Sequence, residues 1–301
     1  MHTSQPATPP NLPTTPESLL PLVVEVMNRT PDARLRQLVV SLTEHLHAFV
    51  RENQLTEAEF ERAVKFMVDI GQATGETKNE VILAADLLGV SALVTMINNQ
   101  HPQRAGETQS ALLGPFWRLN APSYEHGTNI ALANEADPKM EVRGRVFDVQ
   151  GQPLAGALVD VWQADPKGMY ENQDETQPNM NLRGRFTTDA QGGYFFRTVK
   201  PAGYPVPTDG PCGDLLRAQL RQPYRPAHLH FMVSQPGYKV LVTQVFPSGT
   251  PFLDCDPTFG VTAALIGNFQ EVQRDGQALT TLTQDFHLMP GPTVFPHPPI
   301  P

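Results

Sequence analysis

The residues with the clearest chemical potential stand in Arg225-Pro226-Ala227-His228-Leu229-His230, which opens an apolar run through Phe231, Met232 and Val233. Pro226 disfavours helix at Arg225, and the run is short and β-prone, so a strand is expected. Alternation along a strand places His228 and His230 on one face and Ala227, Leu229 and Phe231 on the other. Two imidazoles on one strand face form a chelating pair for a transition metal, of no particular identity. They do not complete a site, and the chain has no CxxC or HExxH pattern to supply further donors. Among the tyrosines, Tyr204 lies in the rigid loop Pro201-Ala202-Gly203-Tyr204-Pro205-Val206-Pro207, and Tyr170 follows Gly168-Met169 beyond a strand. Tyr124, Tyr194 and Tyr238 read as packed aromatics. These residues by themselves leave three readings open: solvent-facing histidines, a non-catalytic β-sandwich binding module with an incidental zinc-type pair, and a catalytic metal centre.

Composition narrows the class. The 22 Lys+Arg against 31 Asp+Glu give a net charge of -9 over 301 residues. That balance offers no basic footprint for nucleic acid and no polybasic cluster for an anionic membrane. Two cysteines, Cys212 and Cys255, make no disulfide framework and fit a reducing, cytoplasmic compartment. The start Met1-His2-Thr3-Ser4 has neither the basic nor the apolar region of a secretory signal, so secretion is not expected. Val81 to Ile97 is apolar but interrupted by Asp86 and Gly89, and reads as a buried helix rather than a membrane span.

The elements that must position these groups fall into two textures. Residues 1–16 form a Pro-rich arm. Helices are then expected over residues 17–105. Thr15-Pro16 and Thr30-Pro31 read as caps with Pro at the first helical position, and Thr56-Glu57-Ala58-Glu59 as a capping box. Leu35, Leu38, Val39, Leu42, Leu46, Phe49 and Val50 recur at helical spacing, and a last helix is expected from Asn79 to Ile97. From residue 106 to 301 short runs alternate between Gly and Pro turns: Met140 to Val146, Ala157 to Gln163, Tyr194 to Thr198, Lys239 to Phe246 and Thr283 to Leu288. Helices followed by strands make an α+β chain whose second part is a mostly antiparallel β-sandwich.

Four separated stretches resemble the intradiol ring-cleaving dioxygenases: Arg225 to Phe231, Tyr204-Pro205-Val206-Pro207-Thr208-Asp209-Gly210-Pro211, Gly168-Met169-Tyr170 and Leu113-Gly114-Pro115-Phe116. The resemblance spans nearly the whole chain and is closest to the hydroxyquinol and catechol 1,2-dioxygenase branch. It implies an N-terminal helical domain that dimerises and a β-sandwich that carries non-haem Fe(3+) on Tyr170, Tyr204, His228 and His230. Such residues suit a ferric ion, a hard cation that favours anionic oxygen donors and leaves room for solvent or substrate. The resemblance further implies that an aromatic 1,2-diol is cleaved with O2. Tyr204 is then displaced and takes up a substrate proton, with Arg225 and Gln244 near the developing negative charge. Whether lipid lies between the dimerising helices is left open.

The substrate rests on finer features. Tyr204-Pro205-Val206-Pro207 is similar to the hydroxyquinol branch, and Asp86 in Leu83-Ala84-Ala85-Asp86 matches a pocket-facing acid there. A buried carboxylate needs a partner, and a third substrate hydroxyl would supply one. Hydroxyquinol is therefore the expected substrate and catechol, plain or substituted, the alternative. The pocket walls that the resemblance implies are Leu83, Leu113, Gly114, Pro115, Phe116, Val206, Pro207 and Phe259. Trp117 and Tyr224 depart from the usual residues and leave the pocket's size open.

Overall fold

Thr15 starts α1 (Pro16–Met27), its side chain accepting from Ser18 N, with Pro16 in the first turn where no N–H is required. The second start differs from expectation. Asp32 caps α2 (Ala33–Glu52), accepting from Leu35 N at 2.6 Å, and Thr30-Pro31 stands outside the helix. The Thr56 box opens α3 (Glu57–Gln72): Glu59 Oε2 accepts from Thr56 N at 2.9 Å and Thr56 Oγ1 from Glu59 N at 3.3 Å. The helix expected over residues 79–97 is two, α4 (Glu80–Leu87) and α5 (Val90–Asn99). They bend by 75° at Gly89, whose φ of +71° ends the first.

The computed structural model describes residues 12–75, 78–99, 106–133, 139–274 and 276–299, so most of the expected arm at residues 1–16 lies outside the described residues. The chain divides between Phe66 and Met67 into two compact units. In the first, α1 and α2 pack together, and Thr43 Oγ1 donates to Met27 Sδ at 3.3 Å. No single helix among the described residues is long and apolar enough to cross a membrane.

The second unit holds α4, α5, α6 (Pro211–Ala218) and the strands. In chain order these are β1 (Lys139–Asp148), β2 (Leu158–Gln163), β3 (Arg183–Thr187), β4 (Gly193–Val199), β5 (Tyr204–Pro205), β6 (Tyr224–Arg225), β7 (Leu229–Ser234), β8 (Leu241–Pro247), β9 (Ile266–Gly267), β10 (Phe269–Arg274), β11 (Gln277–Thr283) and β12 (Phe286–Leu288). One sheet runs β10-β11-β1-β12 with β4 also on β1, and the other runs β3-β2-β7-β8-β9. Pairing is mixed: β1 lies parallel to β11 and β12, and β8 to β9, while the remaining ladders are antiparallel. The sheets bury one continuous apolar core, in which Met140, Val142 and Phe196 of one meet Val159, Leu229 and Phe231 of the other. Strands β3, β10 and β11, and the two-residue strands β5 and β9, are not expected from the sequence. The pattern along β10 is mostly exposed, which removes the alternating apolar signal that marks a strand.

Candidate active site

Strand β7 turns Leu229, Phe231 and Val233 into the sandwich, so His230 and Met232 emerge on the opposite face of their sheet. On that face Trp162 of β2 joins Phe116, Trp117, Tyr170 and Tyr204 in a second aromatic cluster. Register places Trp162 of β2 and Gln244 of β8 on either side of His230. The indole stacks on the imidazole with centroids 4.7 Å apart and planes 10° apart. Tyr204 and Arg225 face each other across the two-residue ladder of β5 and β6. Tyr170 arrives from the loop after β2. A Cβ at Gly168 would stand 3.0 Å from both Gly203 O and Tyr204 Cβ, and its φ of +86° also favours glycine. Gly114, at φ +73°, lets the loop before Phe116 lie on His230, where a Cβ would come 3.2 Å from Cε1.

The four side chains named for the metal therefore converge. The Nε2 atoms of His228 and His230 lie 3.1 Å apart, and the hydroxyls of Tyr170 and Tyr204 lie 3.5 Å apart. All four residues are buried. Burial, with the charge of Arg225 second, lowers His228 to about 3; burial and the neighbouring His228 hold His230 well below its ordinary range. Both rings are thus neutral. With its Nδ1 proton given to Pro226 O at 2.7 Å, His228 presents a lone pair at Nε2. His230 Nδ1 is buried with no hydrogen-bond partner. When it keeps its proton there, two lone pairs point into one small space, an arrangement that a cation stabilises. Burial raises Tyr170 well above the usual phenol range, so its ionisation needs a strong local positive charge. The donor set fits a metal ion of high charge. Among the described residues no group of three or more His, Cys, Asp or Glu could hold one, so the phenols are required for a fuller set.

A cavity of about 600 Å³, including its open mouth, adjoins this cluster. Tyr204, Arg225, Leu83, Asp86, Gly114, Pro115, Phe116, Val206 and Pro207 line it. Two expected walls do not. Leu113 packs with the aromatic cluster while Leu112 lines the cavity in its place, because consecutive residues of an extended loop face opposite ways. Phe259 is 53% exposed, lies under the guanidinium of Arg221 and does not reach the cavity. Trp117 is buried behind the cavity, its indole donating to Asp160 Oδ2 at 3.3 Å, so it does not set the pocket's size. Tyr224 stacks on Phe252 at the surface. Thr258, Ile82, Lys78, Asn79 and Glu80 also line the cavity and carried no local sequence signal.

Polar groups gather at the inner end. Gln244 donates from Nε2 to Leu112 O at 2.6 Å and accepts from Arg225 Nη2 at 3.1 Å. Arg225 Nη1 stands 3.5 Å from His228 Nε2. Asp86 is 9% exposed; burial raises its carboxyl, while a bond from Ser91 and the charge of Arg225 pull the other way.

Residues 112–290 match the family model described as dioxygenase, and residues 32–106 match that of the catechol dioxygenase N terminus. A hydroxyquinol 1,2-dioxygenase of Rhizobium sp. (strain MTP-10005) is 44% identical, covering 83% of this chain and 84% of its own. A catechol 1,2-dioxygenase of Candida albicans is 41% identical over 84% of this chain and 83% of its own. The crystal structure of hydroxyquinol 1,2-dioxygenase from Pseudomonas putida DLL-E4 superposes with a TM-score of 0.85 at 38% identity, covering 92% of this chain and 99% of that one. With the fold, the buried cluster and these relatives in agreement, the chain belongs to the intradiol ring-cleavage dioxygenase family and is a ring-cleaving enzyme of that type.

Proposed function

We propose that this enzyme cleaves hydroxyquinol, 1,2,4-trihydroxybenzene, between its ortho hydroxyls with O2. The product is 3-hydroxy-cis,cis-muconate, the enol form of maleylacetate. Tyr170, Tyr204, His228 and His230 are proposed as ligands of a ferric ion, supported by their convergence and by the neutral, inward-facing imidazoles. A bound ferric ion supplies the electron withdrawal that opens the ring of a coordinated diol to O2. Tyr204 Oη takes up a proton from a diol hydroxyl. Leu83, Pro115, Phe116 and Val206 hold the ring edge and exclude water. Arg225 offers N–H donors where negative charge develops, and Gln244 holds its Nη2 in place.

The observation that carries the substrate assignment is Asp86, a buried carboxylate on an otherwise largely apolar wall of the cavity shared with Tyr204 and Arg225. A third hydroxyl donates to it, whereas catechol leaves it without that bond. Asp86 already accepts from Ser91, so catechol leaves its remaining acceptor capacity unsatisfied, at a cost of about 1–3 kcal/mol, or one to two powers of ten in specificity. Asp86→Ala is expected to lower kcat/KM for hydroxyquinol roughly tenfold or more and to leave catechol unchanged or improved. Equal losses on both substrates assign Asp86 to the fold, and a wild type that prefers catechol reverses the assignment. Catechol is the second reading because the Candida albicans catechol dioxygenase, at 41% identity, lies within the 38–44% range of the hydroxyquinol relatives.

The same reading divides the chain into a Pro-rich segment at 1–16, a dimerising helical domain at 17–105 and the catalytic sandwich at 106–301. It places a homodimer contact on the helices, with or without lipid between them, and the enzyme in the cytoplasm. The apolar stripe left exposed along α2 and α3 supports the dimer, and two unpaired cysteines support the compartment.

A further inference from the structure

The guanidinium of Arg225 is held from behind by the loop that carries Phe259, through Asp256, to which no role is assigned from the sequence. Asp256, buried on that loop, accepts from Arg225 Nε at 3.1 Å through Oδ1 and from Nη2 at 3.1 Å through Oδ2. This is the planar two-bond fork that guanidinium and carboxylate form with least freedom to turn. Asp256 is fixed in its turn. Thr258 donates from its backbone N at 3.2 Å and its hydroxyl at 3.1 Å, and Gly260 N donates at 3.1 Å. The fork and Gln244 occupy Nε and Nη2 and leave Nη1 to face His228 Nε2.

The loop itself is held under strain. Phe252 and Phe259 adopt φ of +71° and +54°, a region that bulky side chains rarely enter, and they stand on either side of Asp256. The stretch preceding Arg225 pins both: Tyr224 stacks on Phe252, and Arg221 lies over Phe259 and donates from Nη2 to Pro257 O at 2.6 Å. Gln222 Nε2 donates to Cys255 O. The segment from Arg221 to Tyr224 thus sets the loop, and the loop returns a carboxylate to the next residue, Arg225.

We propose that Asp256 is a positioning residue for ring cleavage, acting through Arg225 by aiming Nη1 at the site. This rests on the role given to Arg225 and not on which diol is the substrate. The test is a double-mutant cycle of Asp256→Asn and Arg225→Lys on iron-loaded enzyme, using whichever diol the wild type turns over. Arg225→Lys is expected to lower kcat roughly 100-fold and Asp256→Asn roughly 10- to 100-fold. The double variant is expected to be no slower than the slower single variant within about threefold, because the second change removes nothing that the first left working. Iron content, the visible absorbance of the protein and anaerobic diol affinity should stay within about twofold of wild type in Asp256→Asn, since the fork touches neither tyrosine. Losses that multiply in the double variant assign Asp256 to the fold and overturn the proposal. An Arg225→Lys enzyme with wild-type kcat overturns both the proposal and the role of Arg225, whereas the substrate assignment is judged separately by Asp86. Should Asp256→Asn fail to fold, Gly260→Ala replaces it. Its Cβ would stand 2.9 Å from Arg225 Nη2 and 3.2 Å from Asp256 Oδ2, displacing the fork without removing the carboxylate. The same lack of further loss with Arg225→Lys is expected there, and multiplying losses again overturn the proposal.

Discussion

At the scale of single residues, the tyrosines separate by what holds them. Tyr170 is clasped: Phe116 stacks on its ring at 4.4 Å, and the buried pair of Arg183 with Glu171 lies directly after it, at 2.7 Å. Tyr204 stands on a two-residue ladder and lines the cavity, which supports its proposed role as the phenol that a substrate replaces. Tyr204→Phe is expected to keep at least half of the iron, because three ligands remain, and to lower kcat by roughly two to four powers of ten as the proton acceptor disappears. Metal content and turnover on the same preparation check this, and unchanged turnover removes that role from Tyr204. The convergence of the four proposed ligands was legible because the His-x-His spacing and Pro-fixed loops leave local marks. Asp256 was not, because its partner Arg225 lies 31 residues away and nothing near Asp256 in the chain announces a fork.

At the scale of elements, one strand does two opposite things with alternate residues. On β2, Val159 and Val161 feed the sandwich core, while Asp160 and Trp162 face the aromatic layer behind the site. Burial raises Asp160 to about 7, partly offset by the bond from Trp117 and the charges of Arg185 and Arg183. A carboxyl whose folded pKa lies above its unfolded value favours folding below about pH 4, and that contribution is lost as pH rises through about 7. The charged form therefore costs folded protein on the order of a few kcal/mol above neutrality. Asp160→Asn keeps an acceptor for Trp117 and removes the titration. It is expected to raise the urea midpoint at pH 8, with little change at pH 4.5. An equal shift at both pH values, or none, would show that Asp160 is not charged at the cost of folding. The helices carry the same lesson about legibility: periodicity located α4 and α5 as one apolar run, but the bend at Gly89 depends on a backbone angle that periodicity does not report.

At the scale of the molecule, every residue placed in the site belongs to the unit from Met67 onward, while α2 and α3, outside the site, each leave several large apolar side chains exposed. Leu35, Leu38, Leu42, Leu46 and Phe49 on α2, and Phe60, Val64 and Met67 on α3, are each exposed. Monomeric soluble proteins rarely leave so many large apolar side chains of two helices to water, and the proposed homodimer would cover them with the self-complementarity of a twofold interface. At about 25 cal/mol per Å² of buried apolar surface, a few such side chains from each copy contribute several kcal/mol. Leu42→Glu combined with Leu46→Glu places charge in the middle of that stripe. Light scattering is expected to show a dimeric mass for wild type and a monomeric mass for the double variant. Ring cleavage by that monomer should remain within about threefold of wild type, because neither residue touches the cavity or its ligands. A wild type that is monomeric at micromolar concentration and fully active would remove the dimer from the reading. A double variant that dimerises unchanged would place the contact on another face.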